Sequence, residues 1–504
     1  MAVTRRQFIQ GSAASLAGLA LGPHLRTVPG TNVAYAGGPS DAIVVFVQLF
    51  GGNDGINTVY PLTGAQRSLY EDYRPTLKLP DTSGGLSPWI GAGFDASSVL
   101  SVGANDDGSD YALHPAMSAL HQVYQQGKVA IINGVHYPFP NHSHFRSEEI
   151  WYTGDPLSVG GQGWFGSFLD GAGFAPTDIP GVVLGGSLNP LFTPSNISLF
   201  SFRRLSELEF PAAGETALKQ ATVRALHDES AAAAAALYPE LTKIGLTGVA
   251  TLDKINEYYL PGDGTANAGQ VELLMLDGSG TYRRDNPLVY DSPLNFSLTP
   301  SLFSLRLARD LRHVAAVIRA DVGARFFHVG MGGFDSHSSQ EQGFFHSHLL
   351  REVSEAIAAF YNDMNQPVSL PLGYSGFQTG NLASKVLIVT LSEFGRTMRQ
   401  NATNANSAGT DHATSACQFV VGDAVIGGQY GAHPPLDNPG SENEDDLRLT
   451  YDFRDLFGTV LTRWLNVSAS DLGPGPGKIL PPTPVADADG NDYTAFTPIG
   501  FIPA

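Results

Sequence analysis

The stretch "AIVVFVQLFGGNDGINT", Ala42 to Thr58, decides how the rest of the chain is read. Its first nine residues are almost all branched or aromatic, too few to cross a membrane and without the alternation of a strand that has one wet face. Such a run reads as a strand buried on both sides, the signature of a parallel sheet. The glycine pair that follows lets the backbone turn sharply and delivers Asn53 and Asp54 to the strand end.

Three further runs have the same character: "KVAIINGV" (Lys128 to Val135), "ARFFHVGM" (Ala324 to Met331) and "KVLIVTLSEF" (Lys385 to Phe394). Helical patterns over 115–126, 304–321 and 345–362 lie between them. Strands alternating with helices predict an α/β fold, a mostly parallel sheet with helices on both faces. In such sheets ligands gather at the carboxyl ends of the strands. Each of these runs is followed there by polar chemistry: "GGNDGINT", "HYPFPNHSHFRSEE", "GGFDSHSSQ" and "SEFGRT".

Asn53 and Asp54 are oxygen ligands that suit a hard divalent cation, or simply a turn. Ser143, between His142 and His144 at the start of a helical pattern, is either a helix cap or a hydroxyl placed where a helix N-terminus favours an anion. Arg146, one turn on, is placed to grip such an anion. Asp335 and His337 sit two residues apart on a tight turn, Glu393 ends a strand with Arg396 nearby, and Asp411 and His412 follow a Ser/Asn-rich loop. Asp335, His337, Glu393, Asp411 and His412 together form a candidate metal-ligand set.

The ends read differently. "TRRQFIQGSAASLAGLALG" pairs Arg5 and Arg6 ahead of a short, mild apolar segment, and "AYA" at Ala34 to Ala36 offers a cleavage site. Residues 1–36 therefore read as a twin-arginine signal peptide, making the translocation machinery a partner and the periplasm or exterior the destination. Residues 37–470 read as the α/β domain, with a mainly helical insertion at about 195–300, and 471–504 as a Pro/Gly-rich tail. The single cysteine, Cys417, rules out an internal disulfide. Of 29 basic residues, Arg5, Arg6 and Arg26 fall in the signal, leaving 26 against 48 acidic residues and a mature charge near −22. Nucleic acid and anionic lipid would repel such a chain, and no stable membrane insertion is expected.

The motifs "QLFGGNDGINTVYP", "NHSHFRSEEIWYTG", "GGFDSHSSQ", "LSEFGRT" and "GTDHA", in this order from Ile43 to Gly431, resemble the bacterial domain-of-unknown-function family 1501. That family is grouped with sulfatase-like proteins of the alkaline phosphatase superfamily. The resemblance implies an alkaline phosphatase-like three-layer sandwich. Asp54, with Asn53 beside it, resembles the first-strand acid and Ser143 the nucleophile. Asp335 and His337 resemble the Asp/His cluster, Glu393 the later acid and His412 the last histidine. The sulfatase signature Cys-x-Pro-Ser-Arg is absent, which argues against a formylglycine nucleophile. Glu393-Phe394 stands where the superfamily commonly has Asp-His, which fits one ion, or two with different ligands, better than a full two-zinc site.

The expected function is an exported hydrolase of phosphate or sulfate esters, small-molecule or polysaccharide, working with one or two divalent ions: zinc, manganese or calcium. Ser143 would attack, and Arg146 or Arg396 would stabilise the developing charge. Two alternatives stand beside it: a non-catalytic periplasmic binding or assembly protein on the same fold, and a phosphomutase-type transferase. The export reading has a direct test. Replacing Arg5 and Arg6 together by lysine should leave precursor in the cytoplasm, and an unchanged periplasmic yield of mature protein would refute it.

Overall fold

In the computed structural model, residues 41–82, 98–202 and 306–503 are described, apart from 158, 175–179, 186–188, 193–198, 342–344, 366, 368–377, 379, 405, 438–444, 473–479 and 481–495. Residues 1–36, read as a signal peptide, and nearly all of the stretch read as an insertion at about 195–300 lie outside the described residues.

Strand β1 (Ile43–Phe50) is followed by a three-stranded antiparallel sheet of β2 (Val59–Pro61), β3 (Leu100–Ala104) and β4 (Asp110–Leu113). The main sheet continues with β5 (Val129–His136), β6 (Gly181–Leu184), β7 (Phe200–Phe202), β8 (Phe326–Gly332), β9 (Val386–Leu391), β10 (Ala416–Gly422), β11 (Gly428–Tyr430) and β12 (Tyr451–Asp452). Its order is β11-β5-β10-β9-β1-β8-β6-β7, with β12 also paired to β5. The helices are α1 (Gly64–Tyr73), α2 (Ser118–Gln125), α3 (His144–Thr153), α4 (Trp164–Gly171), α5 (Arg306–Ala320), α6 (Phe345–Met364) and α7 (Phe453–Thr459). No described helix is long and apolar enough to cross a membrane.

β1 lies between β8 and β9, parallel to both, and its alternate residues feed two separate cores. Ile43, Val45, Val47 and Leu49 pack with residues of α2, α5 and α6, while Val44 and Phe46 pack with α3, α4 and α7. This is why the run shows no alternation: both faces are covered, and every position from Ile43 to Leu49 is buried. In α5 the buried Leu307, Leu311, Val314 and Ile318 recur at helical spacing along one stripe. The architecture is an α/β three-layer sandwich with a mostly parallel sheet, as the alternation of runs and helical patterns predicts.

β10 runs antiparallel between β9 and β5. β5 therefore points the same way as β9, and the loops leaving β1, β5, β8 and β9 all emerge at one edge. Because β10 is reversed, it is the segment entering it, with Asp411 and His412, that reaches that edge. Phe200–Phe202, inside the stretch read as an insertion, forms the parallel edge strand β7 on β6. The described part of the tail has no regular structure but is anchored: Leu480, Ile499, Phe501 and Ile502 are buried in the second core.

Phe46 sits at the centre of that core, edge-on to Trp164, Phe165, Phe192 and Phe457 at ring separations of 5.2–6.2 Å. Phe46→Ala should lower unfolding free energy by about 3–5 kcal/mol, measured by urea denaturation. A loss below about 1 kcal/mol would mean that this ring does not organise the layer.

Candidate metal centre

The site begins with the loop after β1. Gly51 has φ +116°, and a Cβ there would meet the Asp335 backbone nitrogen at 2.4 Å, so only glycine allows the β1 and β8 loops to touch. Arg396, fully buried, holds this junction together. Its guanidinium donates to the carbonyls of Gly51, Gly52, Phe334 and Thr410, and at 2.7 Å to the Asp335 carboxylate. Glu393, also buried, accepts the Gly51 N–H at 2.7 Å.

Three histidines surround Asp335. His144, the first residue of α3, places Nε2 3.5 Å from Asp335 Oδ2. His337 and His412 place theirs 3.1 and 3.0 Å from Asp335 Oδ1, and 2.9 Å from each other. The ligand atoms of His144, Asp335 and His412 all lie within 4.8 Å of one another. The Phe394 ring packs against both His144 and His412, at 4.8 and 4.6 Å between centroids.

The other ring nitrogens settle the tautomers. His144 Nδ1 lies 2.8 Å from Glu393 Oε1, His337 Nδ1 2.7 Å from Asp411 Oδ1, and His412 Nδ1 2.7 Å from the His142 carbonyl. Ionised carboxylates and carbonyls only accept, so each Nδ1 donates and, in the neutral ring, each Nε2 turns a lone pair toward Asp335. Lone pairs on His337 and His412 then face each other and one carboxylate oxygen at about 3 Å. That arrangement is repulsive unless a cation or a shared proton occupies it. His144 Nε2 is buried and has no hydrogen-bond partner. Nitrogens sharing one tetrahedral ion at ordinary bond lengths stand about 3.3 Å apart. Histidine ligands steadied through Nδ1 by carboxylates or carbonyls are the usual construction of metal sites. The donor set fits a divalent cation held by His144, Asp335 and His412, with His337 at its flank.

The charges agree. The Glu393 hydrogen bond raises the His144 pKa most, against an opposing effect of burial. Burial lowers that of His412, only partly offset by Asp335. Burial alone would raise the Asp335 pKa, but the hydrogen bond and charge of Arg396 hold it well below the usual carboxylate range.

A second group, His114, Glu341 and His346, is fully buried and similarly close-set, yet its chemistry differs. His114 Nδ1 accepts the Ala116 N–H at 3.0 Å, and burial, reinforced by His346, keeps its pKa well below the ordinary value. The neutral ring therefore carries its proton on Nε2 and presents a donor, not a lone pair. This group does not fit a cation.

Asp335, His337 and His412 thus meet as the sequence suggests, but the other expected site residues take different places. Glu393 and Asp411 stand one layer back, orienting histidines. Asp54 is buried against Arg74 at 2.6 Å and accepts from Gln340 at 2.6 Å. Asn53 exchanges hydrogen bonds with Thr58 and lies 3.5 Å from His346 Nε2. Arg396 is committed to the loop junction, and Arg146 to Glu149 and the Pro156 carbonyl, at 2.7 and 2.9 Å. Ser143 is exposed at the start of α3, and its side chain makes no capping bond. His144 was not among the expected ligands; its sequence signal was a second histidine beside Ser143 after a strand.

A family model described as "Protein of unknown function (DUF1501)" matches residues 311–468. That segment carries Asp335, His337, Glu393, Arg396, Asp411 and His412, and the match supports the family read from the motifs. No curated protein and no solved structure matches the chain.

Two predictions follow the two kinds of carboxylate. Glu393→Gln removes the anion behind His144 and should weaken zinc binding about 10–100-fold in a competitive chelator titration. Asp335→Asn should abolish it, and His114→Ala should leave the ion stoichiometry unchanged; loss of the ion in His114→Ala would move the site to the buried group. For Asp54, burial opposes the charge, but the Arg74 guanidinium, helped by His346 and Gln340, brings the pKa down to about 2 from 3.8. A depressed carboxylate pKa contributes stability that is full above about pH 4 and lost as pH falls toward 2, on the order of 2 kcal/mol here. Arg74→Met should lower stability at neutral pH by about 3–5 kcal/mol while retaining bound zinc, measured by denaturation and elemental analysis.

Proposed function

We propose that this chain is an exported, metal-dependent hydrolase of phosphate or sulfate esters, built on an alkaline phosphatase-like fold and using Ser143 as nucleophile. One observation carries the reading: His144, His337 and His412 are each held through Nδ1 so that Nε2 faces the Asp335 carboxylate. A divalent cation held there would supply the positive charge that draws in the ester oxygens and eases ionisation of a nearby hydroxyl. Nitrogen-rich ligands suit zinc or manganese better than calcium.

The chain's own residues divide the remaining work. Ser143 lies between His144, a ligand, and His142, whose carbonyl orients His412. Its hydroxyl stands at the N-terminus of the ten-residue α3, where unpaired N–H groups favour an anion. Glu393 holds His144, and Asp411 holds the flanking His337, each with Nε2 turned toward Asp335. Arg396 fixes the Asp335 carboxylate in place, and Arg146 is paired to Glu149. In this arrangement the transferred group's charge is met by the cation and the helix terminus rather than by a guanidinium.

Ser143→Ala should keep its metal while ester hydrolysis falls by about 10⁴–10⁶, followed with aryl phosphate and aryl sulfate substrates. Because the Ser143 side chain makes no capping bond, stability should change by less than the ~1 kcal/mol of a lost cap. Full activity in a metal-loaded Ser143→Ala protein would refute the nucleophile and point to attack by water. Product analysis separates hydrolysis from transfer to a sugar hydroxyl.

A further inference from the structure

Beside the histidine cluster lies a cleft of about 550 Å³, between α3 and the carboxyl ends of β1, β6 and β8. Phe50, Phe145 and Tyr152 give it aromatic surface, Glu148 and Glu149 give it carboxylates, and no lysine or arginine is among its described lining residues. The two acids differ. Glu149 is paired with Arg146 at 2.7 Å. Glu148 forms no ion pair among the described residues, and only the Tyr152 hydroxyl reaches it, at 3.5 Å. His328 on the same wall brings no charge, since burial lowers its pKa to about 3. Burial, with the Glu393 charge adding to it, pushes the Glu148 carboxyl up to about 7, only partly offset by His144 and the Tyr152 hydroxyl. Phe145, three residues before it, is 88% exposed at the cleft.

We propose that this cleft binds an organic ammonium group carried by the alcohol half of the ester, with Glu148 as counterion and the Phe145 ring against the carbons next to nitrogen. The proposal rests on the neighbouring cluster being the hydrolytic centre. His144 begins α3 and Glu148 follows four residues on, about 6 Å along the helix axis, so one substrate spans both. An anionic group would meet carboxylates and no base. A purely apolar group would desolvate Glu148 and leave it without a partner, at a cost. An ammonium group supplies the missing charge and is attracted to aromatic faces.

The test is a calorimetric titration of the full-length, metal-loaded protein with choline, ethanolamine and 3,3-dimethylbutan-1-ol, the uncharged isostere of choline. At least one amine should bind about tenfold or more tighter than the isostere. Glu148→Gln should reduce that preference to less than about twofold, and Phe145→Leu should weaken choline binding severalfold, with metal content unchanged in both. Equal binding of amine and isostere, no binding of either amine, or a preference that survives Glu148→Gln would overturn the proposal. Failure of the hydrolytic reading is seen separately: ammonium binding without bound metal would leave the cleft intact and remove the chemistry beside it.

Discussion

The edge of the sheet that carries the candidate site depends on one buried guanidinium. Arg396 reaches the carbonyls of Gly51 and Gly52 after β1, Phe334 after β8 and Thr410 ahead of β10, and it also bonds Asp335. A charge taken out of water must be matched group by group, and here the matching groups are the backbones of separate loops. The same bonds that satisfy the arginine therefore fix the loops relative to one another. Asp335 owes both its position and its ionised state largely to this contact.

Around that junction, hydrogen-bond direction distinguishes a cluster that fits a cation from one that does not. Both histidine clusters are close-set and include a carboxylate. In one, each Nδ1 is turned to a group that can only accept, so the Nε2 lone pairs converge on Asp335. In the other, Ala116 donates to His114 Nδ1, which reverses the ring's polarity. Ligand-type residues at ligand-like distances are common to both; the protons decide between them.

Several residues that look like ligands or anion-binding groups in the sequence have structural roles in the fold. Asp54 is the counterion of Arg74, which also bonds the carbonyls of Thr397 and Met398. The ion pair thereby ties the β1 loop to the segment after β9. Phe394, which replaces a histidine expected by resemblance, is the apolar surface on which His144 and His412 pack. Its ring limits how either imidazole turns, a constraint that a ligand in its place would not supply in the same way.

The sequence by itself determined the layered α/β design, because continuous apolar runs such as Ile43 to Val47 are satisfied by burial on both faces. It also placed Asp335, His337 and Glu393 at one edge, since strand ends of a parallel sheet share it, whereas His412 reaches that edge only because β10 is reversed. It did not determine which face of a loop each carboxylate would turn toward. Whether Glu393 and Asp411 touch an ion or hold a histidine depends on contacts from residues far away in the chain. The antiparallel β10 was equally hidden: local pattern sets burial and period, while strand direction is set by the neighbours on either side. His144 joined the site only because α3 packs with its first turn against Glu393, 249 residues further along the chain. Composition and spacing define which groups are available to the site. Tertiary structure decides which of them have lone pairs left to offer, because that depends on where their other hydrogen bonds have gone.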